Sequence, residues 1–220
     1  MGYPWRVLQL ADSGFPTGGF AHSGGLEAAV QQGEVREREG LERFTRELLW
    51  QVGHGAMPLL SAAHREPSAL GGLDARAESF LSNHVANRAS RTQGRAFLDT
   101  CARIFPGPVE PLRRSGRAAG LRYHHAPLFG AVLQALDVGL EDAQQLLLSL
   151  TLRGALSAAV RLGIVGTHES HQLQHQCAPL LDEVLGACAG LGVESLAQTA
   201  PLLDLLGATH DRLYSRLFLS

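Results

Sequence analysis

The sequence predicts an all-α protein with one domain, and three observations support that prediction. Apolar residues recur at helical spacing along almost the whole chain. Turn-bounded runs of β-branched residues, which are typical of strands, are missing. The chain has 220 residues, of which 45% are hydrophobic, so it can bury one substantial core. We expect about eight to ten helices around a central apolar helix, in a single helical domain that spans residues 1–220.

The first part of the chain predicts a Gly-rich loop followed by two helices. Ser23 is a suitable N-cap for a short helix that has Glu27 in its first turn and ends at Gly33. A second helix is predicted from about residue 39, because bulky apolar side chains follow one of its faces. A kink or a break is expected within it where small residues and a proline cluster, at Gly53, Gly55 and Pro58.

The middle of the chain predicts two helices and then a loop. Apolar residues at core spacing indicate helices over residues 74–89 and 91–105. The stretch 106–120 contains three Pro, three Gly and several Arg. Proline and glycine are the strongest breakers of regular structure, so this stretch is predicted to be an exposed, mobile loop.

The last part predicts four more helices. One begins near Pro127, and the most apolar one covers about residues 140–162. Its small residues, Gly154 among them, suit close packing on every side, so this helix is expected to be the central one. A further helix is predicted over about residues 168–191, and another restarts at Pro201, because proline is favoured in a first helical turn.

Composition excludes several classes of protein. The formal charge is −2 and no long block carries one sign, so nothing indicates a nucleic-acid partner. The three cysteines form no C-x-x-C pair, which favours a reducing compartment over a disulfide framework. No long uncharged apolar stretch or basic leader is present. We therefore expect a cytoplasmic protein that does not span a membrane.

The stretch DSGFPTGGFAHSGGLE has the glycine spacing of a phosphate-binding loop but lacks its chemistry. Gly14 and Gly19 are five residues apart, yet Phe20 and Ala21 occupy the positions at which a P-loop has Lys and then Ser or Thr. All 19 cationic residues are arginines, so no lysine can take that role elsewhere. The glycines must serve another purpose.

Histidines provide one candidate metal site. HESHQ nearly matches the zinc-protease signature, but Gln172 stands where the second histidine is needed. His168, His171 and His175 nevertheless share one stripe of a helix, and imidazoles so spaced can bind zinc, nickel or copper. An exposed polar helix face explains the same stripe, and both interpretations stay open at this point.

No catalytic constellation is apparent. The chain has no G-x-S-x-G elbow, and its cysteines have no electropositive sequence setting. We expect no catalytic residue and no cofactor. The unusual features are the Gly-rich loop and an apolar, Arg-bearing C-terminus, which together favour an interaction protein.

Five ordered blocks resemble the urease accessory protein F family. LQLADSGFPTGGFAHSGGLEAAVQQGEV at residues 8–35 resembles the opening signature of that family, and NRASRTQGRAFL at 87–98 resembles the next block. HAPLFG at 125–130 and AAVRLGIVGTHESHQL at 158–173 resemble two more. The ending HDRLYSRLFLS at 210–220 is similar to the terminus of the family.

The resemblance implies a helical, non-catalytic cytoplasmic chaperone, typically a homodimer, that helps to load nickel into apo-urease. It implies that the chain bridges a D-type accessory protein, called H in some organisms, and the nickel-carrying GTPase of the G type. It also implies that the C-terminal segment, residues 209–220, becomes ordered against the D-type partner, so we expect this segment to fray without it. The residues that the resemblance assigns to partner binding are Pro16, Gly18, Gly19, Phe20, His22, Ser23, Gly25, Leu26, Glu27, Arg88, Arg91, Arg161, Gly166, His210, Tyr214, Arg216, Leu217 and Phe218.

Overall fold

A computed structural model describes residues 4–220 and confirms the all-α prediction. These residues form eleven α-helices and four single-turn 3-10 helices, without a strand. No helix in this range combines the length and the apolar character needed to cross a membrane. The helices are α1 Pro4–Ala11, α2 Leu26–Gln31, α3 Arg38–Arg65, α4 Leu70–Phe80, α5 His84–Ile104, α6 Pro106–Ala118, α7 His125–Ala135, α8 Leu140–Arg161, α9 Thr167–Gln176, α10 Ala178–Cys188 and α11 Pro201–Ala208.

The most completely enclosed helix is α7. Residues 127–133 are all buried, and α7 packs against α3, α4 and α5. A Cβ added at Gly130 would lie 2.1 Å from the backbone oxygen of Leu60, so only glycine allows α7 to approach α3 this closely. The sequence favoured residues 140–162 as the central helix. These residues form α8, but its Gly154 is exposed with open space around it, so the expectation that α8 is packed on every side is wrong.

Helix α3 runs unbroken through the region where a kink or a break was expected. A proline in a helix leaves the carbonyl four residues earlier without its donor. Here that carbonyl belongs to His54, and it accepts a hydrogen bond from the Ala197 N–H at 3.3 Å. Gly53 is buried against Val184 of α10, which would lie 2.7 Å from an added Cβ. The glycine therefore admits a neighbouring helix rather than ending its own.

The predicted loop over residues 106–120 is wrong, because residues 106–118 form α6. Leu112 and Gly116 follow Val109 by three and seven residues, which is helical spacing. All three pack toward the core as one helical face. Pro106 and Pro108 lie in the first helical turn, where the N–H groups have no intrahelical acceptor, whereas Pro111 lies inside the helix. Glu110 pairs with Arg113 at 2.8 Å, one turn further along.

Two helix boundaries also differ from the sequence prediction, and a third agrees with it. The break predicted at residue 90 lies at residues 81–83, where the Asn83 side chain accepts from the Val85 N–H at 3.0 Å and caps α5. The helix predicted over 168–191 is divided at Cys177, and Pro179 lies in the first turn of the next helix, α10. The predicted helix start at Pro201 is confirmed.

Candidate partner-binding site

The opening loop, residues 12–25, joins α1 to α2 and contains turns formed at glycine residues. Gly18 and Gly25 have φ values of 78° and 91°, in the left-handed region that favours glycine. The turn lifts Phe20 out of the core, and 71% of this residue is exposed. Pro16 is exposed as well. The loop therefore presents an aromatic ring to the surface on a constrained backbone.

The C-terminal segment is folded against this loop. The Leu219 N–H donates to the Ala21 carbonyl at 2.8 Å, and the Ser23 N–H donates to the Ser220 oxygen at 2.6 Å. The Ser23 hydroxyl donates to the same Ser220 oxygen at 2.9 Å. His22 Nδ1 lies 2.6 Å from the Ser220 hydroxyl. The expectation that the segment frays without a partner is corrected, because its own opening loop supplies its hydrogen bonds.

Glu27 anchors the segment from the first turn of α2. Its carboxylate is 2% exposed and accepts hydrogen bonds from the Leu217 N–H at 2.6 Å and the Phe218 N–H at 3.2 Å. It also accepts from Nε2 of His210 at 2.9 Å, and that imidazole is fully buried. One buried side chain thus binds two backbone donors and one imidazole of the C-terminal segment.

Arg161, the last residue of α8, joins loop and segment through their aromatic rings. Its guanidinium lies 4.0 Å from the Phe20 ring centroid and 4.1 Å from that of Phe218. Its Nη1 also donates to the Phe20 carbonyl at 2.6 Å. A planar cation between two aromatic faces is attracted to both. Arg161 therefore has an intramolecular role in this structure.

A second cluster surrounds Asp211, which sequence reasoning missed. Arg88 binds its carboxylate with two nitrogens, at 3.0 and 2.8 Å, and Arg216 approaches it at 3.3 Å. The hydrogen bond from Arg88 and the positive charges of Arg88 and His84 hold the pKa of Asp211 below its usual range. His22, Thr92 and Ser220 complete a cleft of about 360 Å³ beside this cluster.

An open groove of about 1020 Å³ also borders the opening loop. Leu147, Phe129 and Phe218 give it an apolar lining. His125 also faces it and packs against Phe129, with 5.2 Å between the ring centroids. Burial, and secondarily the charge of His22, lowers the pKa of His125 to about 4. His125 is thus neutral near pH 7.

The predicted site residues have different surroundings. Phe20 and His22 meet the C-terminal segment through Arg161 and Ser220, and Gly25 lies against Gly207 of α11. Gly18 lies instead beside Ala96 of α5, and Gly19 beside Thr17. Arg91 and Gly166 are exposed on α5 and just before α9. Tyr214 is fully exposed, and 52% of Leu217 is exposed. Other predicted partner-binding residues are buried where the C-terminal segment packs against the opening loop and α2, namely Ser23, Leu26, Glu27, His210 and Phe218.

The histidine stripe gains no support as a metal site. His168, His171 and His175 are exposed on α9, and only His171 borders the groove. Within residues 4–220, no three side chains among His, Cys, Asp and Glu converge closely enough to hold a metal ion. The exposed polar face is the interpretation that this geometry favours.

The fold and the site define an all-α protein with an exposed aromatic and apolar surface, built where its opening loop and C-terminal segment join. Such surfaces are typical of protein–protein contacts. The sequence profile of the UreF family matches residues 35–178, and the chain belongs to this family.

Relatives cover nearly the whole chain. It is 37% identical over 219 residues to urease accessory protein F of Oryza sativa subsp. indica, an alignment that covers 97% of this chain and 84% of the relative. It is 38% identical over 223 residues to urease accessory protein F of Arabidopsis thaliana, with 98% and 92% covered. Urease accessory protein UreF of Mycobacterium sp. (strain JLS) is 32% identical over 216 residues, with 97% of both chains covered.

Proposed function

We propose that this protein is a non-catalytic, cytoplasmic factor for the maturation of urease. The observation that carries the proposal is its similarity, over 97% of the chain, to proteins named urease accessory protein F. The site adds support, because it offers a contact surface rather than a reactive group. Burial raises the pKa of Cys101 to about 12 and also raises the pKa values of Cys177 and Cys188, which disfavours a reactive thiolate.

In the finer form of the proposal, the chain is a homodimeric scaffold that bridges two partners for nickel insertion into apo-urease. The D-type (or H-type) accessory protein binds the C-terminal segment, and the G-type GTPase is recruited near the opening loop. Phe20 of the loop and Tyr214, Leu217 and Leu219 of the segment support a contact surface at each place, because all four are large apolar residues that are more than half exposed. Desolvation of such side chains is a common source of binding energy.

Complementation tests the maturation role. The gene is deleted from its host, and urease is purified from the deleted strain and from the strain with the gene restored. Both preparations are assayed for bound nickel and for urea hydrolysis. We expect nickel-poor, inactive urease in the deleted strain and recovery on restoration. Fully loaded urease in the deleted strain, at ordinary nickel supply, would refute the proposal.

Arg216 tests the assignment of the C-terminal segment. Its side chain is 48% exposed and its pair with Asp211 is 3.3 Å long, so loss of the pair should cost the free chain only about 0.2–1 kcal/mol. Arg216→Ala should nevertheless weaken binding to the D-type partner if that partner contacts the guanidinium. Arg212→Ala is the matched control, because Arg212 is exposed in the same segment. Calorimetric titration showing equal affinity for both variants and the wild type would place the contact elsewhere.

A further inference from the structure

The charge of this protein is unevenly distributed. The whole chain has a formal charge of −2, but residues 84–123 contain eight arginines and only two carboxylates. This stretch comprises α5, α6 and the connection to α7. The rest of the chain has eleven arginines and nineteen carboxylates. A nearly neutral total therefore conceals a positively charged region.

Four of these arginines form a stripe along α5. Arg88, Arg91, Arg95 and Arg103 are spaced so that they lie on one side of the helix, and all four are exposed. At 1.5 Å per residue this basic stripe is about 22 Å long. Its length exceeds the Debye length of about 8 Å at physiological salt, so a single counter-charge cannot neutralise it.

The chain supplies few carboxylates to neutralise this region. Its own acids, Asp99 and Glu110, both pair with Arg113. Asp211 reaches it from the C-terminal segment and pairs with Arg88, and Glu78 of α4 pairs with Arg122 at 3.1 Å. Among residues 4–220, Arg91, Arg95 and Arg103 form no ion pair, although Arg95 stacks on the Tyr123 ring at 4.5 Å.

We propose that the basic stripe binds an acidic protein surface, carried by the partner that docks on the C-terminal segment. This proposal rests on the function proposed above, because that partner is the D-type accessory protein. Arg88 supports the connection, since it begins the stripe and also holds Asp211 in the C-terminal segment. The two-nitrogen contact of Arg88 with Asp211 is the geometry in which a guanidinium recognises a carboxylate.

Two features favour a protein over a nucleic acid or a membrane. Nucleic acids and anionic bilayers extend far beyond a 22 Å stripe, and the excess of carboxylates elsewhere on this chain would repel them. A short acidic face on a protein matches the stripe in extent and in charge.

The test compares a stripe variant with a control of equal charge change. Arg91→Gln, Arg95→Gln and Arg103→Gln are combined in the stripe variant. The control combines Arg43→Gln, Arg46→Gln and Arg65→Gln, which are exposed residues of α3. Circular dichroism checks that both proteins fold. Binding of purified D-type and G-type accessory proteins, and of a 30-base-pair DNA duplex, is then measured by surface plasmon resonance at two salt concentrations.

For the D-type protein, we expect the stripe variant to associate at least about tenfold more slowly than the wild type at low salt, with a smaller salt dependence. The control should bind as the wild type does. Equal binding by the wild type, the stripe variant and the control would overturn the proposal for the stripe alone. Failure of the wild type to bind would overturn both this proposal and the proposed function. A stripe-dependent loss confined to the G-type protein or to DNA would overturn the assignment of the partner.

Discussion

Replacing Glu27 by alanine should release the C-terminal segment from the opening loop. Two backbone N–H groups and the His210 imidazole donate to this carboxylate, which is 2% exposed. A net hydrogen bond to a charged group contributes about 1.5–3 kcal/mol, and removal of one member of a buried charged pair costs about 3–5 kcal/mol. We take about 3–5 kcal/mol as the local loss.

The loss should be local because detachment lets the orphaned donors reach water. The free energy of global unfolding should fall by less, since α3, α5, α7 and α8 keep their packing. In the wild type, the amides of Leu217 and Phe218 should exchange slowly with solvent. In Glu27→Ala they should exchange about two to four orders of magnitude faster, as the local free-energy change implies.

Hydrogen exchange followed by mass spectrometry measures this effect on the peptide that covers residues 213–220. Glu34→Ala is the control, because Glu34 is exposed just beyond α2 and its loss should change stability by no more than about 0.5 kcal/mol. If the peptide exchanges at the same rate in Glu27→Ala and in the wild type, Glu27 does not anchor the segment and this reasoning fails.

Gly130→Ala should lower the free energy of unfolding, measured in urea, by about 1–3 kcal/mol or more, because its Cβ would lie 2.1 Å from the Leu60 oxygen. Gly186→Ala is the control, since Gly186 lies in open space on α10 and the change should be neutral or stabilising. His125 has a pKa of about 4 in the fold against 6.5 as its ordinary value, so the unfolded chain takes up its proton first as the pH falls, and stability is lost between about pH 6.5 and 4. Between pH 7 and 5 this contributes up to about 2 kcal/mol, which His125→Phe should remove from the pH dependence of urea unfolding. Changing the histidine stripe (His168, His171 and His175) to glutamine should leave the nickel content of urease unchanged. Nickel-poor urease in a strain with that variant, if the variant is folded, would support the alternative that the stripe binds nickel.

Local periodicity made most of the fold predictable, and the errors arose where a distant contact or a tolerated proline decided the outcome. The spacing of Val109, Leu112 and Gly116 is visible in the sequence, but the surrounding prolines were given more weight than that period. The continuity of α3 through Pro58 depends on Ala197, which binds the carbonyl that the proline leaves free. No local pattern could indicate that contact.

The candidate site was predictable as a set of residues but not as an arrangement. Resemblance placed Glu27 and His210 among the partner-binding residues, although they are 183 positions apart and form a buried pair with each other. Arg161 was assigned in the same way, and its position between two rings depends on the fold of both chain ends. Asp211 was missed because an exposed aspartate in a short apolar segment has no distinguishing sequence pattern.

Bridging of two partners by one chain requires a complex of all three proteins, and the mass of the assembled complex is the direct test. The purified protein is mixed with the D-type accessory protein and the G-type GTPase, pairwise and all together, and each mixture is examined by native mass spectrometry. We expect a complex that contains all three proteins, and no complex of the D-type and G-type proteins when this chain is omitted. Binding of the two partners only in mutually exclusive pairs with this chain, or their direct association without it, would contradict the bridging role.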